Sequence, residues 1–195
     1  MHANILFRVV AALGTMLLLG CATPGKDADA PPVPSELQHA TASYEQTLAW
    51  AARVLGASDA KQLKADHFEL FAGGPRALFL SNPSAPGNGN PTHLIFQRYS
   101  RGLSYTGKLA FAAYRAAPVD ADQRPRVVTF WRLTSDQGEL RLYTLGDQGF
   151  ELTSQVPLRP QQDQDAQLYD QIFNGLTLSQ VLVAKTFPVS TLSKP

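Results

Sequence analysis

The chain has 195 residues, of which 44% are hydrophobic and 17% charged, and this composition excludes a disordered or collagen-like protein. Its 17 basic and 16 acidic residues leave a net charge of +1, so the sequence offers no broad positive field for binding nucleic acid. The single cysteine excludes an internal disulfide framework and any zinc site made from several cysteines.

The N-terminus has the pattern of a secretory signal. Arg8 precedes an apolar run over residues 9–19. A helix of this length extends about 16 Å, whereas a hydrocarbon core is about 30 Å thick, so the run is too short to span a membrane. The charge, the apolar length and the small residue Gly20 together predict a signal peptide over residues 1–20.

The end of this segment, Leu18-Leu19-Gly20-Cys21, resembles the lipobox of bacterial lipoproteins. In that family the signal is cleaved before the cysteine, whose sulfur carries a diacylglyceryl group and whose amino group is usually acylated. The resemblance implies that Cys21 is lipidated, becomes the first residue of the mature chain and anchors it to the cell envelope. Ala22, where some lipoproteins have Asp, implies delivery to the periplasmic face of the outer membrane.

A proline-rich tether is predicted after Cys21. The lipidated cysteine and this tether together occupy residues 21–35. Four prolines among residues 22–35 disfavour helix and strand and favour an extended chain. At about 3.1 Å per residue, this tether holds the domain up to about 40 Å from the lipid surface. The remaining residues 36–195 have the length of a single periplasmic domain.

Helical spacing opens and closes this domain. An N-terminal helix ending at Gly56 is predicted from apolar residues that recur every three or four positions: Leu37, Tyr44, Leu48, Ala51 and Leu55. Residues 58–65 predict a second short helix, with Ser58 as its N-cap. A C-terminal helix is predicted from Asp163 to Asn174, whereas Leu176–Phe187 fits either a strand or another helix.

Between these helices the pattern changes to the period of strands. The predicted strands are residues 68–71, 76–80, 93–99, 103–115, 126–134, 140–145 and 150–156. Residues 81–92, rich in Pro, Asn and Gly, predict a loop. Asp-Gln-Gly triplets at 136–138 and 147–149 supply the turns of a meander over residues 126–156. The predicted class is α+β: five to seven antiparallel strands in one curved sheet or small open barrel, with an N-terminal and a C-terminal helix.

The sequence contains no Gly-x-Ser-x-Gly elbow, no P-loop and no His-x-x-x-His pair, so we expect no cofactor and no metal. Ser58-Asp-Ala-Lys61 matches the Ser-x-x-Lys spacing but lacks the partner motifs of penicillin-recognising enzymes. His67 and His93 are the candidates for hydrolytic chemistry, although each is more typical of an ordinary surface or boundary position.

Residues 98–108 combine cations with aromatic rings. The candidate ligand-binding residues are Arg98, Tyr99, Arg101, Tyr105 and Lys108. The cations suit an anionic head group, and the tyrosines suit stacking on a sugar or an aromatic group. The alternative interpretation is an edge hairpin that its charges keep soluble.

Three functions remain open from the sequence. The leading hypothesis is a non-enzymatic lipoprotein that serves as a binding or assembly module, with an envelope protein or an amphiphile as its partner. The second is a carrier or sensor of a small amphiphile, which requires a half-barrel cavity. The third is an envelope hydrolase that uses His67 or His93.

Overall fold

Two antiparallel sheets make up most of the structure. The structure, a computed structural model, describes residues 30–86 and 89–174. The predicted signal peptide, Cys21 and the segment Leu176–Phe187 lie outside the described residues. The predicted α+β class is confirmed, because helices pack on antiparallel sheets.

Each sheet is a meander of four strands that follow one another along the chain. Sheet A contains β1 (Lys64–Glu69), β2 (Arg76–Ser81), β3 (Thr92–Tyr99) and β4 (Gly102–Ala110). Sheet B contains β5 (Ala113–Ala117), β6 (Arg126–Arg132), β7 (Gly138–Gly146) and β8 (Gly149–Leu158). The helices are α1 (Ser35–Gln38) and α2 (Tyr44–Val54), which precede sheet A, and α3 (Asp163–Phe173), which follows sheet B.

The predicted single sheet of five to seven strands, curved or closed into a small open barrel, is wrong. Residues 103–115 predict one strand, but the chain passes from sheet A to sheet B at Phe111 and Ala112. The Phe111 N–H donates to the Pro91 carbonyl beside β3 at 3.3 Å, and the Ala112 N–H donates to the Phe130 carbonyl of β6 at 2.8 Å. Backbone hydrogen bonds to two different sheets therefore divide the strand here.

Both faces of each sheet are buried, which stacks the fold into four layers. One face of sheet A packs against α1 and α2, in a cluster that includes Leu37, Trp50, Leu78, Leu80, Leu94 and Phe96. Its other face packs against sheet B, in a cluster that includes Ala77, Phe79, Ile95, Phe111, Tyr114 and Val127. The outer face of sheet B packs against α3, in a cluster that includes Val128, Phe130, Leu140, Leu142 and Ile172. Consecutive apolar residues in a strand thus point alternately to the two neighbouring layers.

The predicted N-terminal helix is confirmed over α2, where a capping box fixes its start. The Ser43 hydroxyl accepts from the Gln46 N–H at 3.2 Å, and the Ser43 N–H donates to Gln46 Oε1 at 2.8 Å. Such a cap is worth about 1 kcal/mol. The helix does not extend back to residue 37, because the chain turns at Ala40, which has a φ of 57°.

The second short helix predicted over residues 58–65 is wrong. Only a turn of 3-10 helix, Ala60–Gln62, forms there, and Asp59 instead of Ser58 caps it by accepting from the Lys61 N–H at 3.0 Å. Pairing of β1 with β2, which starts at Lys64, takes the following residues into sheet A. Sheet pairing has overridden local helical preference at this point.

The predicted meander and C-terminal helix are confirmed. β6, β7 and β8 pair in order, and the second Asp-Gln-Gly triplet turns at Gly149, whose φ is 109°. α3 begins at Asp163 and buries Ile172 against sheet B.

Near the end of the predicted loop after β2, the Asn90 side chain hydrogen-bonds to the backbone of sheet B. Asn90 donates through Nδ2 to the Arg132 carbonyl at 2.6 Å and accepts through Oδ1 from the Arg132 N–H at 2.7 Å. The side chain satisfies both backbone groups of Arg132, which lies beyond the β5–β6 pairing that ends at Ala113 and Phe130.

His93 lies between the two sheets. Its ring stacks on Phe111 at a centroid distance of 4.0 Å and an interplanar angle of 3°, and only 6% of the residue is exposed. Burial lowers the pKa of His93 to about 4, against the opposing effects of a hydrogen bond to the Pro91 backbone and the Asp66 carboxylate. Nδ1 has no hydrogen-bond partner within the described part of the chain. The folded protein therefore favours the neutral ring.

We expect the free energy of unfolding to decrease by about 3 kcal/mol through His93 as the pH falls from 6.5 to 4. The unfolded chain binds a proton near the ordinary pKa of 6.5, but the folded protein does so only near 4, so stability is lost as the pH decreases between these values. Urea unfolding at several pH values measures the free energy of unfolding. In His93→Phe this free energy should depend less on pH between 6.5 and 4. His67→Gln is the control, and an unchanged slope in His93→Phe would contradict the prediction.

Candidate functional site

A cavity of about 610 Å³, here named the arginine pocket, opens on the helix-covered face of sheet A beside the start of α2. Its lining includes three arginines, Arg76, Arg98 and Arg101, together with His67. Its apolar lining includes the buried residues Ala42, Leu78 and Leu103. The pocket thus combines a positive wall with an apolar floor.

Strand pairing brings residues that are distant in sequence into the arginine pocket. His67 of β1 lies opposite Leu78 of β2, and Arg76 points to the same face as Leu78 because it is two residues away. The β2–β3 register pairs Leu78 with Phe96. Arg98 lies two residues beyond that pair. It is therefore at the same end of the central strands as Arg76.

The wall of the pocket depends on a close approach between the β3–β4 turn and the segment before α2. The Leu103 N–H donates to the Ala42 carbonyl at 3.0 Å. A Cβ on Gly102 would lie 2.6 Å from the same carbonyl oxygen, so only glycine fits there without a backbone shift. This contact fixes Arg101, the preceding residue, at the mouth of the pocket.

The pocket is electropositive and its positive groups are unpaired. Its lining includes three arginines and a histidine but no Asp or Glu. Across residues 30–86 and 89–174, Arg76, Arg98 and Arg101 make no ion pair and no side-chain hydrogen bond, whereas Arg124 and Arg141 each meet a carboxylate at 2.8 Å. The N–H groups at the start of α2 are partly satisfied by the capping box. Charge for binding an anion therefore comes from the arginines.

The structure divides the basic and aromatic segment 98–108 between two cavities. Arg98 and Arg101 line the arginine pocket, whereas Tyr105 and Lys108 line a second cavity of about 740 Å³ beside the β7–β8 turn. Tyr99 lines neither of these two cavities, is 48% exposed and donates its hydroxyl to Gln97 Oε1 at 3.0 Å. The segment is therefore not one binding patch, because β4 carries it away from the pocket.

The second cavity has mixed chemistry. Tyr105 packs edge-on against Trp50 at 5.1 Å and tilted against Phe96 at 5.7 Å, so its ring belongs to the core under α2. Lys108 and Asp147 bring opposite charges to the same lining. This cavity does not select for one sign of charge.

The two candidate histidines lie on opposite faces of sheet A. His67 is exposed in the arginine pocket, and His93 is buried between the sheets. Ser43 also lines the pocket, where its hydroxyl caps α2. The hydrolase hypothesis thus retains His67 alone as a residue in a cleft.

Sequence reasoning did not include Arg76 among the candidate site residues and considered His67 only for hydrolysis. Both point to the helix-covered face because β1 and β2 pair in the register that puts His67 opposite Leu78. The sequence signal is the alternation in β2, where Arg76 shares a face with Leu78 and Leu80.

Neither a metal centre nor a membrane-spanning helix occurs in the part of the chain that the structure describes. Within those residues, no three His, Cys, Asp or Glu side chains are grouped so that they would hold a metal ion. No described helix has both the length and the hydropathy to cross a bilayer.

We expect Gly102→Ala to destabilise the protein by about 2 kcal/mol or more, because the added methyl forces the Ala42 segment away from β4. Gly56→Ala is the control, since it has a φ of 64° but nothing within 4 Å, and it should cost about 1 kcal/mol. Urea unfolding compares the two variants. Equal stability of Gly102→Ala and the wild type would show that the contact at the pocket wall does not constrain the fold.

Comparisons with known proteins do not assign this chain to a family. No family model matches it, and no curated protein and no solved structure matches it either.

Proposed function

We propose that this protein is a bacterial envelope lipoprotein whose domain is a non-enzymatic binding module for an anionic group. Cys21 carries the lipid and holds the domain at the periplasmic face of the outer membrane. The observation that carries the proposed binding role is the arginine pocket, with its three arginines, its histidine and its lining free of Asp and Glu.

The lipobox residues Leu18-Leu19-Gly20-Cys21 support the anchor. Two or three acyl chains make detachment from a bilayer rare, because each buried methylene contributes about 0.8 kcal/mol. Contacts at the start of the domain define where the spacer ends. Trp50 Nε1 donates to the Pro32 carbonyl at 3.0 Å, and Gln38 Nε2 donates to the Val33 carbonyl at 2.9 Å.

The chemistry of guanidinium supports binding over catalysis. An arginine keeps its proton at any physiological pH and presents a planar fork of donors, so it holds anions well and does not shuttle protons. The unpaired state of Arg76, Arg98 and Arg101 within the described residues leaves these donors available to a ligand. The pocket is therefore built to hold a negative group.

The two alternatives have less support from the described residues. A carrier requires an apolar cavity, but the space between the sheets is occupied by rings in contact, such as Phe79 with Tyr114 at 4.8 Å. A hydrolase requires an acid or a nucleophile within reach of a histidine in a cleft. The lining beside His67 contains no carboxylate, and the Ser43 hydroxyl is engaged as a helix cap.

We expect the wild-type protein to sediment with membranes and to have the intact mass of residues 21–195 plus a diacylglyceryl group and an acyl chain. Cys21→Ser removes the acceptor sulfur, so this variant should lack the lipid mass and leave the outer-membrane fraction. Thr23→Ser is the control and should behave as wild type. A wild-type mass without lipid would refute the anchor.

We expect an Arg98→Gln, Arg101→Gln double variant to bind small anions at least about tenfold more weakly than the wild type, because charge-assisted hydrogen bonds are lost. Isothermal titration of the detergent-solubilised lipoprotein at low ionic strength, with sulfate, citrate and pyrophosphate as probes, measures this. The double variant Arg53→Gln, Arg159→Gln removes the same charge elsewhere and should retain binding. If none of the probes binds the wild type, or if both double variants bind equally, the arginine pocket is not an anion site.

A further inference from the structure

We propose that the ligand of the arginine pocket is a phosphoryl group, either a phosphomonoester or a diphosphate, that carries an apolar or aromatic substituent. This inference rests on the proposed binding function and names the chemical class that the pocket takes.

Three arginines line the pocket from three different places in the chain. Arg76 begins β2, Arg98 lies near the end of β3, and Arg101 lies in the turn between β3 and β4. A carboxylate has two oxygens in one plane and is matched by the fork of a single arginine. A terminal phosphoryl group has three peripheral oxygens in a tetrahedral arrangement, so it accepts from several guanidinium groups that approach from different directions. The number and the origin of the arginines therefore favour a phosphoryl group over a single carboxylate.

The carboxylate nearest in strand register makes no ion pair with Arg76 among the described residues. Glu69 is the cross-strand neighbour of Arg76, but its Oε2 accepts from the Gly73 N–H at 3.4 Å in the β1–β2 turn. Glu69 is not part of the pocket lining. The three arginines thus remain available to an external anion.

A phosphate alone does not fill the volume of the pocket. A cavity of about 610 Å³ falls in the range of about 300–1,000 Å³ that holds small organic ligands, and one phosphoryl group fills only a small part of it. The remaining lining includes buried Leu78 and Leu103 on the floor and Tyr44, which is 51% exposed, beside them. Burial of an apolar substituent on these side chains adds affinity, and the Tyr44 ring offers a face for stacking.

The test compares three probes by isothermal titration of the detergent-solubilised lipoprotein at low ionic strength. Phenyl phosphate has both features, glycerol 3-phosphate lacks the apolar group, and benzoate lacks the phosphoryl group. We expect phenyl phosphate to bind about tenfold more tightly than either of the others, since each lacks one set of contacts. Arg98→Gln should weaken both phosphates about tenfold.

Variants of two exposed tyrosines separate the apolar contribution from the charge. Tyr44→Ala should weaken phenyl phosphate several-fold, by about three- to tenfold, and leave glycerol 3-phosphate unchanged. Tyr99→Ala removes a similarly exposed ring outside the pocket and should change neither affinity. If Tyr44→Ala weakens the binding of both phosphates, or of neither, the substituent does not contact this ring.

Vesicles distinguish a membrane lipid from a soluble ligand. The Cys21→Ser chain, which has no lipid anchor, is floated with phosphatidylcholine vesicles that contain either phosphatidic acid or phosphatidylglycerol. Binding to phosphatidic acid alone, displaced by phenyl phosphate, supports a lipid phosphomonoester. Binding of phenyl phosphate without flotation supports a soluble organic phosphate. If benzoate or citrate binds as tightly as phenyl phosphate, the phosphoryl assignment is wrong but the anion site stands, whereas if no anion binds, both proposals are wrong.

Discussion

Burial of both faces of sheet A is the constraint on which the rest of the structure depends. α1 and α2 cover one face and sheet B covers the other, so the middles of the two central strands, β2 and β3, are apolar on both sides. In these two strands the charged side chains on the helix-covered face, Arg76 and Arg98, lie near the strand ends. Because β2 and β3 are antiparallel, Arg76 at the start of β2 and Arg98 near the end of β3 lie at the same end of the sheet. The arginine pocket is a consequence of where the helical cover stops.

Local signals in the sequence were sufficient to predict much of the fold. The apolar spacing of α2, the Asp-Gln-Gly triplets of the 126–156 meander and the apolar spacing of α3 each depend on neighbouring residues. The division into two sheets was not predictable in this way. No glycine or proline occurs at Phe111 and Ala112, and the change of sheet depends on hydrogen bonds to Pro91 and Phe130.

The candidate site was predicted only in part, because some of its residues are neighbours in the sequence and others meet only through strand pairing. Arg98 and Arg101 lie in one basic segment, and the sequence identified them together. Arg76 and His67 join them only through strand register, which a single sequence does not reveal. Tyr105 and Lys108 were included because of their proximity in sequence, but β4 takes them to a different cavity.

The Asn90 amide acts on sheet B as a substitute for one residue of a missing strand. β5 is shorter than β6, so Arg132 would otherwise present an unpaired N–H and carbonyl at the exposed border of the sheet. Such borders are templates for the addition of a foreign strand and hence for aggregation. By filling both positions with one side chain, the loop blocks edge-to-edge association between copies of the chain at Arg132.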